Sequence, residues 1–270
     1  SDILVIPHAL GQDVQFKERI GPVLGELEYN KLKVDLTQNM EKLAAVFETI
    51  KLIKKQVKDK DLIGFCGGPF TVLNYMIEQG TSKSHDKIIN HIKKQADKSL
   101  QLIEIITEVS IEYLKKQIDS GVDFIKVFDS WAGLLVGDDY KKFVTEPNKK
   151  IAQEIKKYSP ETKQIFFPRG SNENYLTFIK EVKPDVIALD EKFPEEVFSY
   201  AKKHNITLQG NLPPSLLIEG GVKLREGIKN ILNTFQGNKH IFNLSHGVLP
   251  QTPIENVEIL VEEIKNYNEA

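Results

Sequence analysis

The polar residues of this chain with most chemical meaning stand where short apolar runs stop. Ile241–Leu244 runs into Ser245-His246-Gly247, and a loop with two prolines then leads to Pro253-Ile254-Glu255-Asn256. A histidine that follows a strand and precedes a glycine lies where an α/β barrel places its chemistry, and it can exchange a proton near neutrality. Phe124–Phe128 ends in Asp129-Ser130-Trp131-Ala132-Gly133, whose two side-chain oxygens either cap the next turn or face a ligand. Leu62–Phe65 enters Cys66-Gly67-Gly68-Pro69-Phe70-Thr71, a tight turn that admits close approach to the backbone or simply joins strand to helix. Tyr75, a helical turn further on, either packs or returns its hydroxyl to the barrel mouth. Val186–Leu189 ends in Asp190, and Thr207–Gln209 in Gly210-Asn211-Leu212; each is bland alone. His8, His85, His91 and His204 sit in polar or loop contexts that predict solvation, and His240 precedes its strand, at the amino-terminal face. Asp2 stands before any interpretable context and reads as a surface residue.

The elements that would position these groups alternate regularly. Besides the runs above, Gln164–Phe167 has the length and β-branched or aromatic content of a buried parallel strand. Between the strands, apolar residues recur at helical spacing, most clearly at Leu102, Ile103, Ile106, Val109, Ile111, Leu114 and Ile118, with Gly121 as C-cap. Further helices are predicted over Met40–Lys55, Asp138–Lys157, Tyr175–Val182, Pro194–Lys203, Val222–Phe235 and Pro253–Ile264. Such alternation means parallel βαβ units, and the absence of a Gly/Ser/Pro-rich linker predicts a single domain over 1–270. A barrel is preferred to an open doubly wound sheet because no GxGxxG or GxxxxGK[ST] loop follows an early strand. Ser1–Ile6 could be the tail of a further strand.

Composition narrows the partners. With 270 residues, 40% hydrophobic and 27% charged, the chain has ample material for a core. A net charge of −2 gives no electrostatic reason to expect nucleic acid or an anionic membrane. Arg19, Arg169 and Arg225 are the only arginines, so bidentate anion recognition is scarce. The single cysteine, Cys66, rules out an internal disulfide and suits a reducing cytosol, and no CxxC or HExxH metal pattern occurs. No apolar run approaches a membrane span, and the opening Ser1-Asp2-Ile3-Leu4 hints at a start inside a domain.

Read together, six blocks resemble the uroporphyrinogen decarboxylase family in the family's own order, over essentially the whole chain. They are SDILVIPHALG at 1–11, GFCGGPFTVLNYMIEQG at 64–80, VFDSWAG at 127–133, ALDEKF at 188–193, LQGNLPPSLL at 208–217 and IFNLSHGVLPQTPIENV at 241–257. The resemblance implies an α/β fold of the (β/α)8 TIM type. It implies a cytoplasmic homodimer that decarboxylates the four acetates of uroporphyrinogen III to give coproporphyrinogen III, with neither metal nor organic cofactor. It puts the family's essential aspartate on Asp2, its active-site tyrosine on Tyr75, its small hydroxyl residue on Ser130 and its C-terminal histidine on His246. Phe65 and Phe128 match aromatic residues of the pocket wall.

Departures from the pattern set expectations too. Nothing here matches the family's N-terminal Arg-Gln-Ala-Gly-Arg-Tyr motif, whose arginines bind substrate carboxylates, and Arg169 is not taken as their substitute. The chain therefore reads as an enzyme lacking several dozen N-terminal residues, with strand 1 and most of strand 2 of the barrel. Unpaired strand edges would then make it aggregation-prone, and an inactive fragment or scaffold is one alternative function. Another is a corrinoid-dependent methyltransferase of the same superfamily, against which stand the single cysteine and the absence of a His-x-Cys pair.

Overall fold

The computed structural model describes residues 2–18, 21–32 and 34–268, so Arg19 lies outside the described residues. Two compact units emerge: Ser1–Arg169 with Lys180–Lys183, and Gly170–Ile179 with Pro184–Ala270.

In the first unit the order is α1 (Val5–Leu10), β1 (Val14–Lys17), β2 (Gly21–Leu24), α2 (Leu36–Lys42), α3 (Ala44–Gln56), β3 (Ile63–Gly67), α4 (Pro69–Glu78), α5 (Asp86–Lys94), α6 (Ala96–Asp119), β4 (Phe124–Asp129), α7 (Gly137–Tyr140), α8 (Glu146–Tyr158) and β5 (Lys163–Pro168). Then follow α9 (Asn174–Val182) and, in the second unit, β6 (Val186–Ala188), α10 (Glu196–His204), β7 (Thr207–Leu212), α11 (Pro214–Glu219), α12 (Gly221–Thr234), β8 (His240–Leu244) and α13 (Ile254–Asn268). β4 pairs in parallel with β3 and β5, and β7 with β6 and β8. All six runs read as buried strands are strands.

Helix α6 organises the first unit. Leu102, Ile106, Val109, Tyr113 and Leu114 are buried along its length, and the chain leaves it through Gly121 at φ +105°, a left-handed residue that suits glycine. Its Gln117 side chain pairs with Phe65 in the way a neighbouring strand would, accepting from the backbone N–H at 2.9 Å and donating to the carbonyl at 3.0 Å. Just beyond, Asp123 accepts from Leu62 N–H and from Lys54, both at 2.7 Å, which ties α3 to the start of β3 and holds the Asp123 carboxyl below its usual range.

Three expectations are corrected. The expected strand tail at Ser1–Ile6 is not found over the described residues 2–6: a turn at Ile3 and Leu4, in which Asp2 Oδ1 accepts the Leu4 N–H at 2.8 Å, leads into α1, while Ser1 lies outside the described residues. The helix expected over Asp138–Lys157 is α7, a π-helical turn at Lys141–Thr145, and α8. Pro147 lacks the N–H that would bond the Phe143 carbonyl, and the wider turn sits just before it. Met40–Lys55 likewise divides at Leu43 into α2 and α3. The antiparallel pair β1–β2, in register from Val14↔Leu24 to Lys17↔Gly21, had no clear sequence signal.

Candidate active site

The turn from β3 into α4 is built against the end of β4. Gly68 N–H donates to Phe128 O at 2.8 Å. A methyl on Gly68 would lie 2.4 Å from Asp129 Cβ and Cγ, so only glycine leaves room for the carboxylate. Asp129 is 1% exposed. It accepts from the Thr71 N–H at 3.1 Å, the Thr71 hydroxyl at 2.6 Å and the Asn148 amide at 2.9 Å. Thr71 is in the first turn of α4, so Asp129 caps that helix from the neighbouring strand. Burial outweighs these bonds and pushes the Asp129 carboxyl up to about 6. The Thr71 oxygen also accepts from Trp131 N–H at 3.0 Å, so both residues flanking Ser130 are tied to α4. Of the two readings of Asp129-Ser130, capping describes Asp129; Ser130 is half-buried between two anchored neighbours.

The two faces of the β3–β4–β5 sheet differ in kind. Gly64 turns towards Gln117 of α6 and Val122, and Cys66, Ile125, Val127 and Phe166, of matching parity, are buried with it. Burial, and then the charge of Asp129, push the Cys66 thiol well above its ordinary range. The opposite face carries Phe65, Lys126, Phe128 and Phe167. Phe65 and Phe128 meet edge to face with ring centroids 5.9 Å apart. Lys126 is 6% exposed, with its Nζ 4.7 Å from the Phe128 ring centroid and 5.6 Å from that of Phe167. Desolvation lowers its ammonium pKa to about 8.

Asp2 belongs to this end of the sheet. Ile3 lies so close to β3 that a methyl on Gly67 would come within 3.0 Å of Ile3 Cβ, which sets the Asp2-Ile3 turn against the carboxyl end of that strand. Asp2 is half-buried rather than a free surface residue. Tyr75 lies one turn beyond Thr71 on α4 and is half-buried on a helix otherwise buried from Pro69 to Met76. Tyr75, Ser130, Phe65 and Phe128 are thus on β3, β4 or the segments that follow them, and Asp2 is in the N-terminal turn packed on Gly67, all in the first unit. His246 is in the second unit, two residues past β8, and exposed. Its neighbour Ser245 is buried, donating N–H to Leu212 O at 2.9 Å and its hydroxyl to Glu191 Oε1 at 3.1 Å. Asp190 likewise organises its surroundings: its carboxylate accepts from Gly170 N–H, and its carbonyl from the Asn211 amide at 2.7 Å.

Two histidines expected to be solvated are not. His85 is 4% exposed, bonds Asn74 Oδ1 through Nδ1 at 2.9 Å and lies 4.3 Å, ring to ring, from Trp131. Burial lowers its pKa. His91 is half-buried between Tyr29 and Ser99. His240 begins β8 and bonds Gly210 O. Residues that the sequence reading passed over are Thr71, Asn148, His85 and Lys126. Only Lys126 had a visible signal: it is the one charge inside the apolar run Phe124–Phe128.

The sequence of this chain, from 1 to 267, matches the model of the uroporphyrinogen decarboxylase family. The chain belongs to that family. It is 44% identical over 271 residues to the uroporphyrinogen decarboxylase of Rickettsia bellii, covering 99% of this chain and 79% of the relative. It is 41% identical over 278 residues to that of Rickettsia rickettsii, covering 100% of this chain and 78% of the relative. A solved methyltransferase from Methanosarcina mazei has the same fold with a TM-score of 0.77 and 22% identity, covering 98% of this chain and 78% of that one. A B12-independent methionine synthase from Shewanella sp. W3-18-1 superposes with a TM-score of 0.58 at 11% identity, over 94% and 72% of the two chains. At such identities the two likenesses speak for fold alone. The α/β class is therefore that of the decarboxylase family, and the methyltransferase alternative is not favoured. Among the described residues no group of three or more His, Cys, Asp and Glu side chains is placed to hold a metal ion.

Proposed function

We propose that Asp2, Tyr75, Ser130 and His246 carry the decarboxylation of uroporphyrinogen in this protein, with Phe65 and Phe128 forming part of the pocket wall. The family membership makes the chain a carboxy-lyase of porphyrin biosynthesis. The substrate in this reading is uroporphyrinogen III, which loses its four acetate carboxyls to become coproporphyrinogen III.

Loss of carbon dioxide from an acetate leaves an electron pair that needs an acceptor. A pyrrole ring provides one: protonation of the ring carbon beside the acetate makes a cationic, iminium-like ring. The bond to the carboxylate breaks into that cation and carbon dioxide departs. The exocyclic methylene then takes a proton to become methyl as the ring gives its own up, so each acetate consumes one proton. The substrate thus serves as its own electron sink, the task otherwise given to a cofactor. What the protein must supply is a fixed negative charge whose attraction grows as the ring becomes cationic. Asp2 has that role in our reading, facing the pyrrole N–H groups. Tyr75, Ser130 and His246 bind substrate carboxylates or move protons.

The observation that carries this reading is the fixing of Asp2. Its turn packs on Gly67 at the end of β3, and the Leu4 amide holds one carboxylate oxygen at 2.8 Å. Asp2→Asn keeps the shape and removes the charge, and is expected to lower kcat for uroporphyrinogen decarboxylation by about 10²-fold or more, the loss typical of one electrostatic group at a developing charge. Undiminished turnover would refute the assignment. The reading extends to a cytoplasmic homodimer. No described helix is long and apolar enough to cross a membrane, and the one cysteine is a buried free thiol.

A further inference from the structure

We infer that His85 is a positioning residue for the decarboxylation, its imidazole bridging Asn74 and Trp131 and so setting Tyr75 and Ser130 relative to each other. The inference deepens the functional reading above and rests on it, since that reading makes both hydroxyls part of the site. The bridge consists of two contacts. His85 Nδ1 donates to Asn74 Oδ1 at 2.9 Å, and the imidazole lies against the Trp131 ring with centroids 4.3 Å apart. Asn74 is the residue before Tyr75 on α4, and Trp131 is the residue after Ser130, just beyond β4. One ring at the start of α5 thus touches the neighbour of each hydroxyl residue.

Both contacts are buried, and the two side chains they reach have little else to orient them. His85 is 4% exposed and Asn74 1%. The amide nitrogen of Asn74 and Nε1 of Trp131 are buried without a hydrogen-bond partner among the described residues. His85 therefore supplies the hydrogen bond that orients the Asn74 amide and the ring contact that orients the indole. Burial disfavours the charged imidazole, and the neutral ring with its proton on Nδ1 is the form that donates to an amide oxygen. The residue is itself firmly placed. Its backbone N–H donates to Ser82 Oγ at 3.1 Å, and Glu78, at the end of α4, accepts the Ile88 N–H of α5 at 2.9 Å. His85 holds φ +55°, a left-handed conformation that residues other than glycine adopt rarely. A segment that only joined α4 to α5 would be served better there by glycine or asparagine.

Tyr75 and Ser130 gain a common reference in this way. The Thr71 hydroxyl already ties α4 to the Trp131 backbone N–H at 3.0 Å. His85 adds a second tie, from the next turn of α4 to the indole. Two ties at successive turns resist both rotation of α4 about its axis and its sliding along β4. In this role His85 does not touch the substrate. It acts through the separation of two hydroxyls, where a displacement of about 1 Å costs up to roughly 10²-fold in rate.

The test compares wild type with His85→Ala, His85→Asn and His85→Phe, each also in a background carrying Tyr75→Phe and Ser130→Ala. Decarboxylation of uroporphyrinogen is followed by fluorescence of the oxidised products, so that slow variants stay measurable. Asparagine keeps a donor near the place of Nδ1 and suits the left-handed backbone, and phenylalanine keeps a ring against Trp131. His85→Ala is expected to lower kcat/KM by tenfold or more, and the other two variants each to recover part of that loss. In the background without the two hydroxyls, His85→Ala should cost less than threefold, because the groups through which it acts are gone. A residue that served stability alone would cost the same in both backgrounds. Trp131 is the one tryptophan of the chain, and an imidazole against an indole quenches it, so His85→Ala should also brighten its emission. If His85→Ala loses its cooperative melt, His85→Asn is judged by the same criteria. A folded variant with kcat/KM within twofold of wild type, an equal loss in both backgrounds, or unchanged emission overturns the inference. The Tyr75→Phe, Ser130→Ala background is the separate control on the functional reading: if it turns over uroporphyrinogen like wild type, that reading fails whatever His85 does.

Discussion

Gly68→Ala probes the joint between β3, α4 and β4 with one methyl group. The backbone there, at φ −61° and ψ 143°, is ordinary for alanine, so the effect is steric rather than conformational. The added carbon would stand 2.4 Å from both Cβ and Cγ of Asp129 and 2.7 Å from Oδ2. Asp129 cannot swing aside freely, because Thr71 and Asn148 hold both of its carboxylate oxygens. Overpacking alone costs roughly 1–3 kcal/mol, and each hydrogen bond to a charged group that breaks costs roughly 1.5–3 kcal/mol more. A loss of about 4 kcal/mol in a chain of this size corresponds to a fall in Tm on the order of 10 °C. Because Ser130 sits between Asp129 and Trp131, a displacement of about 1 Å is expected to lower kcat/KM by up to roughly 10²-fold. Differential scanning calorimetry and steady-state assays measure the two effects. Gly247→Ala is the control: nothing lies within 4 Å of its added carbon, and its melt should match wild type. A Gly68→Ala protein with wild-type Tm and kinetics would show that the Asp129 network does not position the end of β4.

Two further predictions address single groups. The Asp129 carboxyl rises from 3.8 to about 6 on folding, so its contribution to stability is fully present below pH 3.8 and is lost as pH rises through 6; the span corresponds to about 3 kcal/mol. Denaturant titrations between pH 4 and 7 should therefore show wild type losing stability relative to Asp129→Asn, and parallel pH profiles would contradict the burial argument. In the second unit, Ser245→Ala removes the hydroxyl bonded to Glu191, which should lower stability by about 1 kcal/mol. It should also raise KM several-fold by loosening the segment that carries His246. An unchanged KM would show that His246 needs no such anchor.

How much could be read from the sequence depended on the kind of force involved. Burial imprints apolar runs, and so β4 to β7 were legible to within a few residues; β8, half-buried and exposed in alternation, was legible from its apolar residues, as was the position of His246 beyond Leu244. The β1–β2 pair was not: its residues are mostly half or fully exposed, and Phe16 is 62% exposed, so no burial period marks it. The break in the helix predicted from Asp138 depended on a single missing N–H at Pro147, while the surrounding periodicity continued. Polar contacts between distant segments left no trace at all. Nothing local says that Thr71 meets Asp129, 58 residues on, or that His85 lies against Trp131. His85 looked solvated because Ser82, Lys83, Ser84 and Asp86 surround it, while its ring turns inward to Asn74. The family motifs carried the site residues as identities, and the structure adds how Ser130 and Asp2 are held.

A charge that binds and a charge that catalyses must leave different kinetic signatures. The substrate's peripheral carboxylates carry the same charge before, during and after proton transfer to a ring. A cation bound to one of them stabilises ground and transition states alike, so its loss appears in KM with kcat largely kept. The ring nitrogens become cationic only on the way to the transition state. A carboxylate facing them, as assigned to Asp2, therefore acts more strongly there, and its loss appears in kcat. Asp2→Asn should therefore lower kcat with KM largely kept. If Asp2→Asn instead raised KM alone, the carboxylate would be a binding group only, and the fixed anion would have to be sought elsewhere.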